Sequence, residues 1–186
     1  GSGVEFDAWI ESGKSFSVTI NLGKPDLLTT GETQCIGIRA IIAGFEGYSF
    51  SEDLSPVGIE ACFKAALENA KLKRELLKTP EVEVEISTPE RAVEQDFGNF
   101  KGEFTDGLDE KIEKTKSLES SAMAVDPRIR NVSRNKFSQS TRSVSYWSSK
   151  GASYINKQAV LSAFSAPLAE QGTERRQGFE FKVGRK

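Results

Sequence analysis

No histidine occurs anywhere in the 186 residues, and that absence removes the commonest general base near neutral pH together with the commonest transition-metal ligand. A Ser-His-Asp or Cys-His catalytic arrangement is excluded outright. Cysteine is nearly as scarce. Cys35 and Cys62 lie 27 positions apart, which is too few for a secreted disulfide scaffold and a poor start for a zinc site; both read as small core residues in a reducing compartment. No apolar run approaches the ~18 to 20 residues of a membrane span, and no basic-then-apolar leader opens the chain, so the expected location is the cytoplasm with no membrane partner. The chain does not begin with methionine, its one Met being Met123. Gly1-Ser2-Gly3 reads as a remnant of an expression tag, and the chain as a piece of a longer protein.

What is present is enough for one sizeable core: 37% of the residues are hydrophobic, and the length favours a single domain over residues 1–186. Charge is distributed unevenly. Residues 1–126 carry 24 acids against 13 bases, whereas residues 127–169 carry seven bases and no acid. Such asymmetry marks either a nucleic-acid face or an acidic half folding against a basic one.

The stretch Gln34–Leu54, QCIGIRAIIAGFEGYSFSEDL, organises the chain. Ile36, Ile38, Ala40 and Ile42 share one parity, as a strand with one buried face requires, and Gly44 breaks the run into a hairpin. Gly47 marks a close backbone approach. Ser55-Pro56 then specifies a helix start, with a capping hydroxyl followed by a residue whose missing N–H costs nothing. Upstream, Val4–Glu11 and Ser15–Leu22 alternate as strands separated by Ser12-Gly13-Lys14, with Phe6, Ala8 and Ile10 inward against Asp7, Trp9 and Glu11. Gly23-Lys24-Pro25-Asp26 makes a second turn, and Leu27–Thr30 starts another strand before Gly31. The first 50 residues therefore read as a meander of about five strands.

Downstream, the helix after Ser55 carries an apolar stripe of Ile59, Cys62, Phe63, Ala66, Leu67, Ala70 and Leu77 and ends by Pro80. Glu81, Glu83 and Glu85 alternate with Val82, Val84 and Ile86 as a short strand whose acidic face reads as a solvated edge. A second helix spans about Gly107 to Val125, with Leu108, Ile112, Leu118, Ala122 and Val125 as its stripe, and Asp126-Pro127 stops it. Strands at 132–137, 142–149 and 153–165 follow, then a polar loop over 170–178 and a last alternation of Phe179, Phe181 and Val183. The order gives an α+β domain, a largely antiparallel or mixed sheet with two long helices packed on one face.

Candidate functional positions follow from this layout. Arg39, on the face opposite Ile36 and Ile38, is either an exposed cation for a partner subunit or a peptide carboxylate, or one half of a cross-strand ion pair with Glu46 or Glu52. Gly47 and Gly151 read as turn or packing glycines, and Asp126-Pro127-Arg128 as a helix stop whose Asp bonds a nearby amide. The irregular stretch 87–106 holds Phe97, Phe100 and Phe104, apolar groups suited to an interface or a substrate cavity. The basic span 127–169, interleaved with Phe137, Tyr146, Trp147 and Tyr154, supports an alternative: a single-stranded nucleic-acid-binding module.

Several segments in order carry a family likeness: FSVTINLG, then GIRAIIAGFEGYSFSEDLSP and its helix, then AVDPRIRNV, then SYWSSKGASYINKQAVLSAFSA, then GFEFKVGRK. Over nearly the whole chain, from about Val4 to Gly184, the sequence resembles the amino-terminal domain of the TldD/PmbA family, metallopeptidases and their partners once called modulators of DNA gyrase. Within these segments Gly37, Gly47, Asp126, Pro127, Arg128 and Gly151 are structural motif positions. The resemblance implies a two-part parent whose carboxy-terminal domain, absent from this chain, holds zinc in its catalytic members. The fragment itself would then have no cofactor and no catalytic residues. The FSVTINLG start looks more like the PmbA (TldE) branch, whose members commonly act as the partner of a catalytic subunit. Expected partners are a second copy or a TldD–PmbA-type heterodimer mate and an unfolded peptide, in proteolysis or peptide maturation.

Overall fold

The computed structural model describes residues 3–79, 84–86, 102 and 104–185. Seven strands and two helices form among them: β1 (Glu5–Asn21), β2 (Lys24–Ile42), β3 (Phe45–Ser51), α1 (Pro56–Leu77), α2 (Leu108–Ala124), β4 (Ile129–Ser148), β5 (Ser153–Gln171), β6 (Glu174–Gln177) and β7 (Glu180–Arg185). The strands join one sheet in the order β3-β2-β1-β4-β5-β6, with β7 also pairing β5. The pairings β2–β3, β5–β6 and β5–β7 are antiparallel. The architecture is α+β.

The meander has fewer and longer strands than the turn signals suggest. β1 runs straight through Ser12-Gly13-Lys14, and β2 through Gly31. Within this meander the chain reverses where two successive residues enter the left-handed region, Leu22-Gly23 at φ 49° and 72° and Ala43-Gly44 at φ 51° and 80°. Two such residues match the twist of the flanking strands in a tight hairpin. Gly13 and Gly31 keep ordinary backbone angles and therefore do not turn the chain; at Gly31 a Cβ would lie 3.0 Å from Ser15 Oγ, so that glycine serves a close approach. In the same way, the separate strands expected at 132–137 and 142–149 fuse into β4. The polar loop at 170–178 is instead a turn at Gly172 followed by β6. Of the acidic strand expected at 81–86, only Val84–Ile86 is described, and it carries no strand.

By internal contacts the chain divides into two compact units. One comprises Gly1–Gly13, Thr33–Gly98 and Arg142–Lys157; the other comprises Lys14–Glu32, Asn99–Thr141 and Gln158–Lys186. The long strands β1, β2, β4 and β5 each contribute residues to both units.

In the first unit, Ile36, Ile38 and Ala40 of β2 pack with Cys62 and Ala66 of α1, flanked by Ala8, Ile10, Ile59, Phe63 and Leu67. Each fully buried Ile contributes ~1.5–3 kcal/mol. Ser55 caps α1 by accepting from the Gly58 amide at 3.1 Å, with Pro56 at the first helical position. The face that meets the sheet is built of small residues: Cys62, Ala66 and Ala70 recur every four residues and are buried. The reason lies across from them. A Cβ on Gly47 would come within 2.2 Å of the Ala66 carbonyl oxygen and of the Ala70 nitrogen, so helix backbone and strand backbone nearly touch. Asn69 adds a side-chain bond, donating to the Tyr48 carbonyl at 2.8 Å. The lower end of the expected stripe does not reach the core: Leu77 is exposed.

In the second unit, Val18, Ile20 and Phe137 form the core, with Phe16, Ile112 and Leu161 against it. Lys111 lies over the Phe16 ring, 4.5 Å from its centre. The inward face of α2 is rotated from the apolar stripe read in the sequence. Its buried residues are Thr115 and Glu119, whereas Leu108 and Val125 are exposed. Thr115 is tolerated inside because its hydroxyl donates to the Lys111 carbonyl one turn back, at 2.7 Å.

Candidate functional site

Within the first unit, the face of β2 opposite the Ile36–Ile38 core gathers most of the polar chemistry. Gly37 has no side chain, and the Trp9 indole lies where its Cβ would be, with ring atoms 2.8–2.9 Å from that position. One turn of the pleat further, Arg39 extends to Asp7. Its Nε donates to Asp7 Oδ1 at 3.0 Å and its Nη2 to Oδ2 at 2.6 Å, a bidentate fork. The Tyr146 hydroxyl donates to the same Oδ2 at 3.1 Å, and its ring stacks on Tyr154 at 5.1 Å between centres. Glu46 stands at the margin, 3.9 Å from Arg39 and 3.8 Å from Lys73, and accepts from the Tyr48 hydroxyl at 2.7 Å.

The electrostatics follow from burial. Asp7 is only 3% exposed, and a carboxylate taken that far out of water stays charged only when paired and fully hydrogen-bonded. Arg39 supplies both. In return the Asp7 bond holds the guanidinium well above the usual arginine range, against the opposing effect of its own burial. Desolvation is the main cause of the raised Tyr146 and Tyr48 phenols, followed by the Asp7 charge for Tyr146 and the Glu46 bond for Tyr48. With each oxygen of Asp7 engaged, the cluster acts as a locked ionic pin.

Arg39 thus finds its main partner in Asp7, not in Glu52, and Glu46 is secondary. Asp7 was read as outward-facing, by alternation with Phe6 and Ala8; it is buried because this face of β1 is covered by Arg39 and Tyr146. Parity could have pointed to it: Gly37 and Arg39 share a face, so a neighbouring strand must offer both a large ring and an anion, and Trp9 and Asp7 are spaced two apart for that purpose.

The remaining positions fall elsewhere. Asp126 accepts from the Arg128 amide at 2.8 Å and binds its side chain at 2.9 and 2.7 Å, which holds the Asp126 carboxyl far below its ordinary value; Pro127 sits between them. Gly151, at φ 87°, makes the β4–β5 turn. Phe104 lines a cavity of about 160 Å³ in the second unit with Phe16, Lys111 and Gln139. Phe97, Phe100 and nearly all of the stretch 87–106 lie outside the described residues. In the basic span, Arg128, Arg142 and Lys150 are paired with Asp126, Glu11 and Glu5 at 2.7, 2.6 and 2.5 Å. Arg142 and Lys150 lower the carboxyls of Glu11 and Glu5 through hydrogen bonds.

The sequence matches two consecutive family profiles: PmbA/TldA metallopeptidase domain 1 over residues 7–70 and PmbA/TldA metallopeptidase central domain over residues 103–185. The chain belongs to the PmbA/TldD family. The matched segments contain the Asp7–Arg39 pin, Gly47 and α1 as far as Ala70 in the first case and α2, β4 and β5 in the second. No curated protein matches the sequence. Among solved structures, the fold is similar to a proposed modulator of a DNA gyrase from Thermotoga maritima, at TM-score 0.75 and 21% identity over 98% of this chain. It is likewise similar to TldE from Thermococcus kodakarensis, at TM-score 0.73 and 18% identity over 98% of this chain. A third match is a proposed modulator of DNA gyrase from Bacteroides thetaiotaomicron, at TM-score 0.72 and 16% identity over 96%. The chain spans 40% of the length of each of these PmbA/TldD-like chains. Among the described residues, no group of side chains fits the metal centre that the family name implies. There is no histidine, Cys35 and Cys62 stand on β2 and α1, and no three Cys, Asp or Glu side chains converge among the described residues. No helix among them is long and apolar enough to cross a membrane.

Proposed function

We propose that this chain is the non-catalytic amino-terminal part of a PmbA/TldD-type protein, either a metallopeptidase or its partner subunit. It serves proteolysis or peptide maturation by contributing to dimerisation and to a cavity for unfolded peptide. One observation carries the reading: the family's domain 1 and its central domain match in sequence order on a chain that has no histidine. In a parent with the length of the similar structures, zinc chemistry would belong to the remaining part, and this part would bind and position.

The fold offers surface for that task. β3 ends the strand order among the described residues, which leaves an outer edge of the kind to which an extended segment can add. Tyr48 and Phe50, on one parity of β3, are exposed, Phe50 at 80%. The ion pairs of the basic span weigh against a phosphate-tracking role for it. A parent protein carrying this chain is expected to sediment as a dimer and to retain an unfolded peptide, and Phe50→Asp is expected to weaken one of the two. A monomeric parent that neither binds nor cleaves unfolded peptide would overturn the reading.

A further inference from the structure

The second unit holds a buried carboxyl group that the proposed function does not use. Glu119 of α2 is 5% exposed. Its Oε2 accepts from the Gly23 amide at 2.6 Å, clasping the β1–β2 turn. Its Oε1 is buried and has no hydrogen-bond partner among the described residues. Glu119 lines a cavity of about 590 Å³, whose wall also includes Leu22, Gly23, Glu113, Lys116 and Met123.

The lining has a definite chemical character. Among the described residues that line it, Lys116 is the one cation, and Lys116 Nζ is already held by Glu113 Oε1 at 2.7 Å, so that pair cancels. Glu119 Oε1 is left without a donor among the described residues. Leu22 and Met123, both exposed, give the cavity an apolar wall, and a methionine wall adapts to unbranched chains. A ligand matching both features is a cation on a flexible methylene stem, which covers apolar surface with its stem and donates from its tip.

We propose that this cavity receives a lysine or arginine side chain of a bound peptide segment, its stem against Leu22 and Met123 and its cationic head donating to Glu119 Oε1. The choice of a peptide as the source rests on the reading above; the choice of a basic side chain rests on Glu119. The site would bias an otherwise sequence-tolerant cavity toward basic segments.

The test is nitrogen-15 NMR of this chain titrated with three probes: a capped Ala-Lys-Ala peptide, the same peptide with norleucine for lysine, and n-butylammonium. The lysine peptide is expected to shift the amides of Leu22, Gly23 and Met123, and the norleucine peptide to leave them in place. Glu119→Gln, which keeps an oxygen for the Gly23 amide, is expected to weaken the lysine peptide about tenfold or more. Met123→Lys, at an exposed position, offers a second check that does not disturb the turn, and it should block the cavity with its own ammonium. Equal shifts from lysine and norleucine peptides, or undiminished binding in either variant, would overturn the proposal. So would binding of n-butylammonium without the lysine peptide, since the source would then not be a peptide. The titration reads binding and not turnover, so its failure is separable from failure of the peptide-handling role.

Discussion

Asp7 in the first unit and Glu119 in the second are both buried carboxyl groups on regular elements, and they are treated in opposite ways. Asp7 receives a bidentate arginine and a tyrosine hydroxyl. Among the described residues, Glu119 receives one backbone amide and keeps an unpartnered oxygen. A saturated buried ion rigidifies its surroundings and is expensive to break. An unsaturated one costs stability as it stands and is kept where something else completes it. The difference separates a structural pin from a candidate receptor, although both residues are acids in amphipathic segments.

The largest expected effect lies at the pin. Arg39→Ala strands the Asp7 carboxylate in its buried position and should destabilise the fold by ~3–5 kcal/mol, read as a lowered urea midpoint. The double variant Arg39→Met with Asp7→Leu should recover most of that loss, because replacing both charges by apolar groups removes the stranded ion. A single variant as stable as the parent sequence would mean that the pin is not closed in solution. By contrast, Glu119→Gln should be close to neutral in stability, and that contrast between the two sites is the sharpest form of the comparison.

Next comes Gly47→Val. Its Cβ would collide with backbone atoms of α1 at 2.2 Å, which no rotamer change can relieve, so the helix must lift. The expected cost is ~1–3 kcal/mol or more, with loss of protection in the amides of α1 by hydrogen exchange. Ser55→Ala removes the cap on the Gly58 amide and should cost ~1 kcal/mol by the same denaturation measurement.

The smallest effect concerns a third carboxyl, Asp106. Lys114, then Gln139, donate to its ionised form and hold it at about 2 against an ordinary 3.8. A lowered folded value means that its contribution is complete above about pH 3.8 and is lost as pH falls from there through about 2. Because the group is near the surface, solvent screening keeps this contribution small. Asp106→Asn should therefore flatten the acid limb of the stability curve in that window and leave neutral pH nearly unchanged.

The sequence was most legible where one local signal decided the structure. Ser55-Pro56 announced α1, Gly44 marked the hairpin to within a residue of its Ala43-Gly44 turn, and the parity of Ile36, Ile38 and Ala40 set the buried face. It was less legible where turn-forming residues sit in extended backbone: Ser12-Gly13-Lys14 carries the composition of a turn but adopts none, and β1 runs on through it as strand. The family was readable from short motifs scattered along the chain. Glu46 was legible as a partner of Arg39, but its main partner Asp7 and the inward turn of Glu119 were not. Asp7 lies 32 positions from Arg39 and Glu119 lies 96 from Gly23, so each depends on which strand becomes the neighbour. For Glu119 the apolar stripe of Leu108, Ile112, Leu118, Ala122 and Val125 points to a different face of α2 from the one that buries Thr115 and Glu119.

The central claim is that this part of a PmbA/TldD-type protein handles peptide without performing metal chemistry. Its most direct test is hydrolysis of an unfolded, fluorescence-quenched peptide by the 186-residue chain with zinc supplied. The expected result is no turnover above buffer. Turnover that a chelator abolishes and added zinc restores would contradict the claim.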